Sequence, residues 1–297
     1  MFFVSICSVI LRAQDEPLVF DFETIKFADV FTDSGAPVEL FLDVYTPVTE
    51  APPGGFPVVV WVHEGGWQIG SRKSLFKEAL PWLIPEGIAL VSVDYRLGPQ
   101  STFPKPLHDV KGAVRFLRAE IARGGLPFDA DKVCLWGSSA GGHLSSLAAV
   151  TQNQPNFEGN VGGNLEFSSA VSGFCNYYGP TNIWAAQQRP AGTEVNLLGG
   201  TVAEEPIKAI FASPVFFVEP NCPAYLGVCG LLDEFVPEEL YQEFEQKLIS
   251  VGVQSPYQSV YINAGHGFQD KAFNPELWVD EDMRLLTVGF FKSAFNL

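Results

Sequence analysis

The sequence predicts an α/β fold, a mostly parallel central sheet flanked by helices, and three observations carry that prediction. Apolar runs of strand length at 58–62, 88–94, 133–136, 170–177, 224–229 and 257–262 alternate with stretches of helical periodicity. Within a run the residues are apolar at successive positions, as strands covered on both faces require. One of the runs stops on Gly137-Ser138-Ser139-Ala140-Gly141 and is followed by a helix-compatible stretch. That is the strand, sharp turn and helix of a G-x-S-x-G elbow.

Taken in order, residues 1–14 hold an apolar stretch as far as Leu11 followed by Arg12-Ala13-Gln14. This reads first as the hydrophobic part and cleavage region of a truncated signal segment lacking its positive start, and otherwise as an apolar N-terminal strand. The first reading predicts a secreted or periplasmic protein, the second a cytoplasmic one; the run is too short to span a membrane. From 18 to 45 the chain reads as an extended hairpin or meander, with Val38, Leu40, Leu42 and Val44 alternating against Glu39, Phe41, Asp43 and Tyr45.

A Pro/Gly-rich connection at 51–57 leads into the first central strand. A helix is expected near 74–83, and another at 104–123, where Val110, Val114, Leu117 and Ile121 recur at helical spacing. After the elbow come a Gly/Asn-rich loop at 153–164, a strand, and a segment at about 180–214 whose periodicity Gly and Pro interrupt. That segment is expected to form a small cap over the strand ends. Helices at 237–251 and from 276 to about 291 complete a single domain spanning 15–297.

At 297 residues with 47% hydrophobic content the chain can bury a large core. Its formal net charge of −16 argues against nucleic-acid binding, which needs basic stripes. Of five cysteines, Cys134 and Cys175 sit in apolar strands as small hydrophobes. Cys222 and Cys229 are close enough in sequence for a bridge, and their pairing is left open, as is the oligomeric state.

A serine hydroxyl needs a general base, and the base needs a carboxylate that orients it. With Ser139 as nucleophile, His266 is the expected base, because it follows the last strand on a small-residue loop. His63, His108 and His143 have structural readings: a loop-organising bond, a helix position, and packing one turn beyond the serine. The acid is expected in Gly230-Leu231-Leu232-Asp233-Glu234, with Asp233 preferred over Glu234 because the shorter residue sits directly at the strand-end turn. Gly65 and Gly66, after the first central strand, and Ala140, after the nucleophile, offer N–H groups for an oxyanion hole. Glu64 and Trp67 flank those glycines as candidate substrate contacts. None of this chemistry calls for a metal or an organic cofactor.

The phrases HEGGW, GSSAGGHL, GLLDEFVP and GHGF, in that order from about 58 to 268, resemble the motifs of the α/β-hydrolase superfamily. Within it the chain is most similar to the carboxylesterase and hormone-sensitive-lipase-like group, and there to the acetyl-xylan and feruloyl esterase-like branch. The resemblance implies Ser139, Asp233 and His266 as triad and Gly65, Gly66 and Ala140 as oxyanion hole. It implies a serine carboxylic-ester hydrolase acting on small or saccharide-linked esters; a peptidase or amidase, or a non-catalytic binding protein, are the alternatives on the same fold. Glu64 departs from the pattern by standing where the group has the first glycine of HGGG. The phrases Asp94-Tyr95-Arg96-Leu97, 103–110 and Tyr178-Gly179-Pro180-Thr181-Asn182 read as mainly structural.

Overall fold

A computed structural model describes residues 7–13, 16–188, 192–268 and 281–297. Strands β1 (Cys7–Ala13), β2 (Glu16–Phe31) and β3 (Pro37–Pro47) form the expected antiparallel meander. The alternation then begins with β4 (Phe56–Val62), α1 (Ala79–Leu83), β5 (Ala89–Val93), α2 (Lys105–Ala122) and β6 (Phe128–Ser138). It continues with α3 (Ala140–Val150), β7 (Gly173–Tyr177), the short helices α4 (Glu194–Leu198) and α5 (Pro206–Phe211), and β8 (Ala224–Gly230). Helix α6 (Glu239–Val251), β9 (Tyr257–Ile262) and α7 (Glu281–Phe295) complete it.

Among the described residues these strands form one nine-stranded sheet in the order β1-β2-β3-β5-β4-β6-β7-β8-β9. Strand β3 meets β5 antiparallel, and every pairing from β5 to β9 is parallel. Parallel neighbours need a crossover, and the helices supply it. Consequently the carboxyl ends of β4, β6, β7, β8 and β9 open on the same edge, where sheets of this kind carry their ligands.

Strand periodicity sorts the core into two layers. Val58, Val60 and Val62 of β4 pack with α2, α3 and α6, while Val59 and Trp61 pack with α1 and α7. The second layer is strongly aromatic. Trp136 meets Trp61 edge-on at 5.1 Å, stacks with Trp82 at 6.2 Å and contacts Phe291 of α7 at 5.7 Å. On β3, Leu40, Leu42 and Val44 are buried as the alternation requires. Asp43 is buried too, because its carboxylate accepts bonds from Thr24 Oγ1 at 2.6 Å and Arg72 Nε at 2.8 Å.

The helix expected near 74–83 is shorter than its periodicity suggests, covering only Ala79–Leu83. Pro81 lacks an N–H and its ring clashes with the carbonyl four residues back, so a helix cannot run through Lys77. The freed carbonyl of Ser74 accepts the Trp61 indole N–H at 3.0 Å instead. The closing helix appears as α7, and the expected residues 276–280 lie outside the described ones. Cys134, Cys175, Cys222 and Cys229 are all buried free thiols, so Cys222 and Cys229 do not pair. No helix among the described residues is long and apolar enough to cross a membrane.

The phrase Asp94-Tyr95-Arg96 ties loops to this frame. Asp94 accepts from Arg72, and the Tyr95 hydroxyl donates to the His63 carbonyl at 3.0 Å. The Arg96 guanidinium grips the fully buried Asp109 of α2, with Nη2 to Oδ1 at 2.6 Å and Nε to Oδ2 at 2.9 Å, and reaches the Phe31 carbonyl. Breaking such a pair from one side leaves a charge buried without its counterion. Arg96→Met is therefore expected to lower unfolding free energy in urea by about 3–5 kcal/mol.

His143, wholly buried on α3, has its pKa pushed down to about 4 by burial. Unfolded, the imidazole titrates near ~6.5, so above that pH both states are neutral and the stability is fully present. Below it the unfolded state takes up a proton that the folded state refuses. Stability should fall by about 1.4 kcal/mol per pH unit from this residue as pH drops toward 4. Urea titrations at pH 7 and 5 would show the slope, and a His143→Leu variant should lack this part of it.

Candidate active site

The elbow is built by close approach. Ser139 sits between β6 and α3 at φ 48°, ψ −118°, a conformation that a residue with a Cβ adopts only when its surroundings enforce it. Gly141 permits it, because a Cβ there would lie 1.9 Å from the Val62 carbonyl oxygen of β4. The turn is locked by the Ser139 N–H donating to the Tyr177 carbonyl at 2.8 Å and the His143 N–H donating to the Ser139 carbonyl at 3.0 Å.

From this turn the Ser139 hydroxyl faces His266 Nε2 at 3.0 Å, and His266 Nδ1 faces Asp233 Oδ2 at 2.8 Å. A carboxylate accepts, so Nδ1 carries the ring proton and Nε2 is left to accept from the serine. Residues 127 positions apart meet because β6, β8 and β9 end on the same edge. The other oxygen of Asp233 accepts the N–H groups of Phe235 and Val236, both at 2.8 Å. Those two bonds fix the carboxylate and explain why Asp233 occupies the site while Glu234 stays exposed. Their reach is that of the shorter side chain bonding two and three residues ahead.

The remaining histidines are elsewhere. His63 is buried, donates from Nδ1 to the Glu64 carbonyl at 2.7 Å and stacks on Tyr95 at 4.1 Å. His108 lies on α2 against Gly159. His143 accepts the Trp67 indole N–H at Nδ1. Their structural readings hold, and of the four only His266 reaches the serine.

After β4 the chain turns through Gly65 and Gly66 at φ 121° and 57°, and a Cβ on Gly65 would lie 2.1 Å from the Ile69 carbonyl oxygen. Among the described residues the N–H groups of Gly65, Gly66 and Ala140 donate to no protein acceptor. Gly65 and Gly66 line a cavity of about 500 Å³ together with Ser139 and His266. Ala140 begins α3, whose N-terminal dipole favours negative charge at the same place. The segment between β7 and β8 adds Asn182, Ile183, Thr193 and Glu194 to the wall, and Phe235 and Val236 add apolar surface.

Glu64 also lines this cavity, its Oε2 accepting the Ser138 and Tyr178 hydroxyls, each at 3.1 Å. Burial, with the Glu64 charge second, pushes the Tyr178 phenol well up, so it remains a donor. Trp67 is in the wall but only 3% exposed, with its indole N–H already committed to His143. Tyr178 was read from sequence as structural, yet its ring stands edge-on to His266 at 5.1 Å and supports the imidazole. Its φ of 41° at the end of β7 is a local signal that only the structure supplies. Among the described residues no group of three or more His, Cys, Asp or Glu side chains is placed to hold a metal ion.

Known proteins align with this arrangement. Esterase LipC of Mycobacterium tuberculosis is 32% identical over 71% of this chain and 53% of its own length. The same organism's protein named probable carboxylic ester hydrolase LipM is 31% identical over 68% of this chain and 47% of its own. The chain thus spans about half the length of these relatives. Among solved structures, a truncated carbohydrate esterase from gut microbiota superimposes with a TM-score of 0.74 at 23% identity, covering 92% of this chain and 97% of that one. A bifunctional GH43-CE protein of Bacteroides eggerthii gives a TM-score of 0.76 at 26% identity over 91% of this chain and 35% of that one. The BD-FAE family model matches residues 42–248, which take in the glycine loop, the elbow and Asp233, with His266 just beyond. By that match the chain belongs to the BD-FAE family of the α/β-hydrolase superfamily.

Proposed function

We propose that this chain is a serine carboxylic-ester hydrolase that acts through an acyl-enzyme on short-chain acyl or saccharide-linked acetyl and feruloyl esters. The hydrogen-bonded line from Ser139 Oγ through His266 to Asp233, opening on a cavity beside unpaired glycine N–H groups, carries the reading. Ser139 Oγ adds to the ester carbonyl carbon while its proton passes to His266 Nε2. The carbonyl oxygen becomes an oxyanion facing the N–H groups of Gly65, Gly66 and Ala140, whose strength lies in being oriented beforehand. Collapse breaks the ester C–O bond, and the leaving alkoxide takes the proton from Nε2. Water then repeats the sequence on the acyl-enzyme, giving the acid and free Ser139. Asp233 stabilises the imidazolium throughout, and its two amide bonds keep it from turning away.

The substrate class is supported by the carbohydrate esterases among the structural neighbours and by the mixed wall of the cavity. That wall pairs apolar Ile183, Val236 and Phe235 with Asn182 and Thr193, which offer hydrogen bonds to a hydroxylated alcohol. Glu64 adds a carboxylate at the same rim.

Ser139→Ala should lower kcat for p-nitrophenyl acetate by a factor on the order of 10⁴ or more, with the far-UV spectrum unchanged. Near-native turnover in the folded variant would refute the assignment. A panel of p-nitrophenyl esters of increasing chain length, with acetylated xylan and methyl ferulate, should show activity at the short or saccharide-linked end. Cleavage confined to peptides or long-chain esters would contradict the substrate class. Glu64 should disfavour alcohols that carry a negative charge. Glu64→Gln is therefore expected to raise the anionic-to-neutral ratio of kcat/KM by roughly 3- to 10-fold at low salt, an effect that added salt reduces.

A further inference from the structure

We infer that His143 is a positioning residue for the oxyanion hole, holding the glycine loop in register with the nucleophile through Trp67. Nothing in the triad uses this imidazole, yet it ties two segments of the site together, and its residue's backbone reaches the elbow. Its backbone N–H caps the Ser139 carbonyl at 3.0 Å. Its Nδ1 receives the Trp67 indole N–H at 3.1 Å, with the two rings edge-on at 5.2 Å. Its Nε2 meets the Ala212 carbonyl, just past the end of α5, at 2.6 Å.

The chemistry of these partners leaves one tautomer. An indole only donates, so Nδ1 is bare; a carbonyl only accepts, so Nε2 carries the proton. Complete burial keeps the ring neutral and the arrangement single. A side chain that bonded to only one of these partners would leave either the glycine loop or the segment after α5 untied.

What the bond restrains is a strained turn. Gly65, Gly66 and Trp67 lie consecutively at φ 121°, 57° and 58°, and Trp67 is not a glycine. Its bulky side chain keeps that conformation because the neighbours hold it: the Gly98 N–H donates to the Trp67 carbonyl at 2.7 Å, and His143 holds the indole. Gly65 and Gly66, whose N–H groups are the expected donors, are the two residues immediately before this anchor. Release of the indole lets the turn relax toward commoner backbone angles and rotates those donors away from the developing oxyanion. Because Ser139 caps α3 and His143 lies in its first turn, the distance from nucleophile to donors is set within one helical turn.

This inference rests on the ester-hydrolase reading, and its test separates the two. The readouts are kcat and KM for a neutral short-chain ester, corrected for active sites titrated with a fluorophosphonate, and the inhibition constant of an alkylboronic acid, which forms a tetrahedral adduct on Ser139. His143→Leu, which offers no acceptor, should lower kcat on the order of 10²-fold, leave KM within about threefold, and weaken the boronic acid in parallel. His143→Asn places a carbonyl oxygen at the Nδ1 position and should recover at least about 10-fold of the loss. Trp67→Phe removes the donor from the other end and should cost a similar factor, with the double variant no worse than either single one. That cycle decides the matter even where His143→Leu folds poorly, through Trp67→Phe and His143→Asn.

Unimpaired kcat per titrated site in His143→Leu, an Asn variant no better than Leu, or multiplicative losses in the double variant would each overturn the positioning role. A fall in thermal stability with kcat intact would show a merely structural residue and overturn it as well. No turnover of any ester by the native protein would overturn the hydrolase reading, and this inference with it.

Discussion

The first turn of α3 lies so close to β4 that position 141 has room for a hydrogen and nothing more: a Cβ there would lie 1.9 Å from the Val62 carbonyl oxygen. The rest of the site depends on that contact. It draws the helix over the sheet edge, forces Ser139 into positive φ at a cost of roughly 1–3 kcal/mol, and turns the hydroxyl toward the ends of β8 and β9. Gly137 meets the same crowding from the other side, where a Cβ would lie 2.4 Å from the Gly141 carbonyl carbon. The two glycines are therefore a statement about space between main chains rather than about flexibility.

Around the strained turn each reacting group is held from behind. Two amides fix Asp233, Asp233 fixes His266, and Tyr178 stands beside the imidazole. The glycine loop is held at Trp67 by His143 and Gly98. Catalysis of acyl transfer profits from groups that need not reorganise as charge develops, and the proposed reaction would draw that advantage from this layering of supports.

Much of this was legible in the sequence because it rests on local rules. The apolar runs named the strands, the elbow named Ser139, and the loops after the last two parallel strands named Asp233 and His266. The choice of Asp233 over Glu234 followed from side-chain length at a turn, and the Asp233 carboxylate does accept two amides of that turn. What escaped was decided by distant partners. The extent of α1 turned on Pro81, visible in the sequence but outweighed there by periodicity. Tyr178 looked structural because its closeness to His266 arises only when β7 and β9 are folded into one sheet. Glu64 was visible as a misfit in a glycine loop, but the hydroxyls of Ser138 and Tyr178 that receive it come from 74 and 114 residues away.

The aromatic layer beneath α1 and α7 has a spectroscopic consequence. Three of the six tryptophans, Trp61, Trp82 and Trp136, share this cluster at centroid distances of 5.1 to 6.2 Å. Indoles so close and so fixed couple their transition dipoles, so the near-ultraviolet circular dichroism of the native chain should carry a strong, signed band. That band monitors whether the helices are seated on the sheet, on the face away from α3 and the cavity. Among the described residues Trp67 is the one indole that lines the cavity. The described residues therefore carry two optical reporters, one for the packing of the core and one for the geometry of the glycine turn, and they can be read apart.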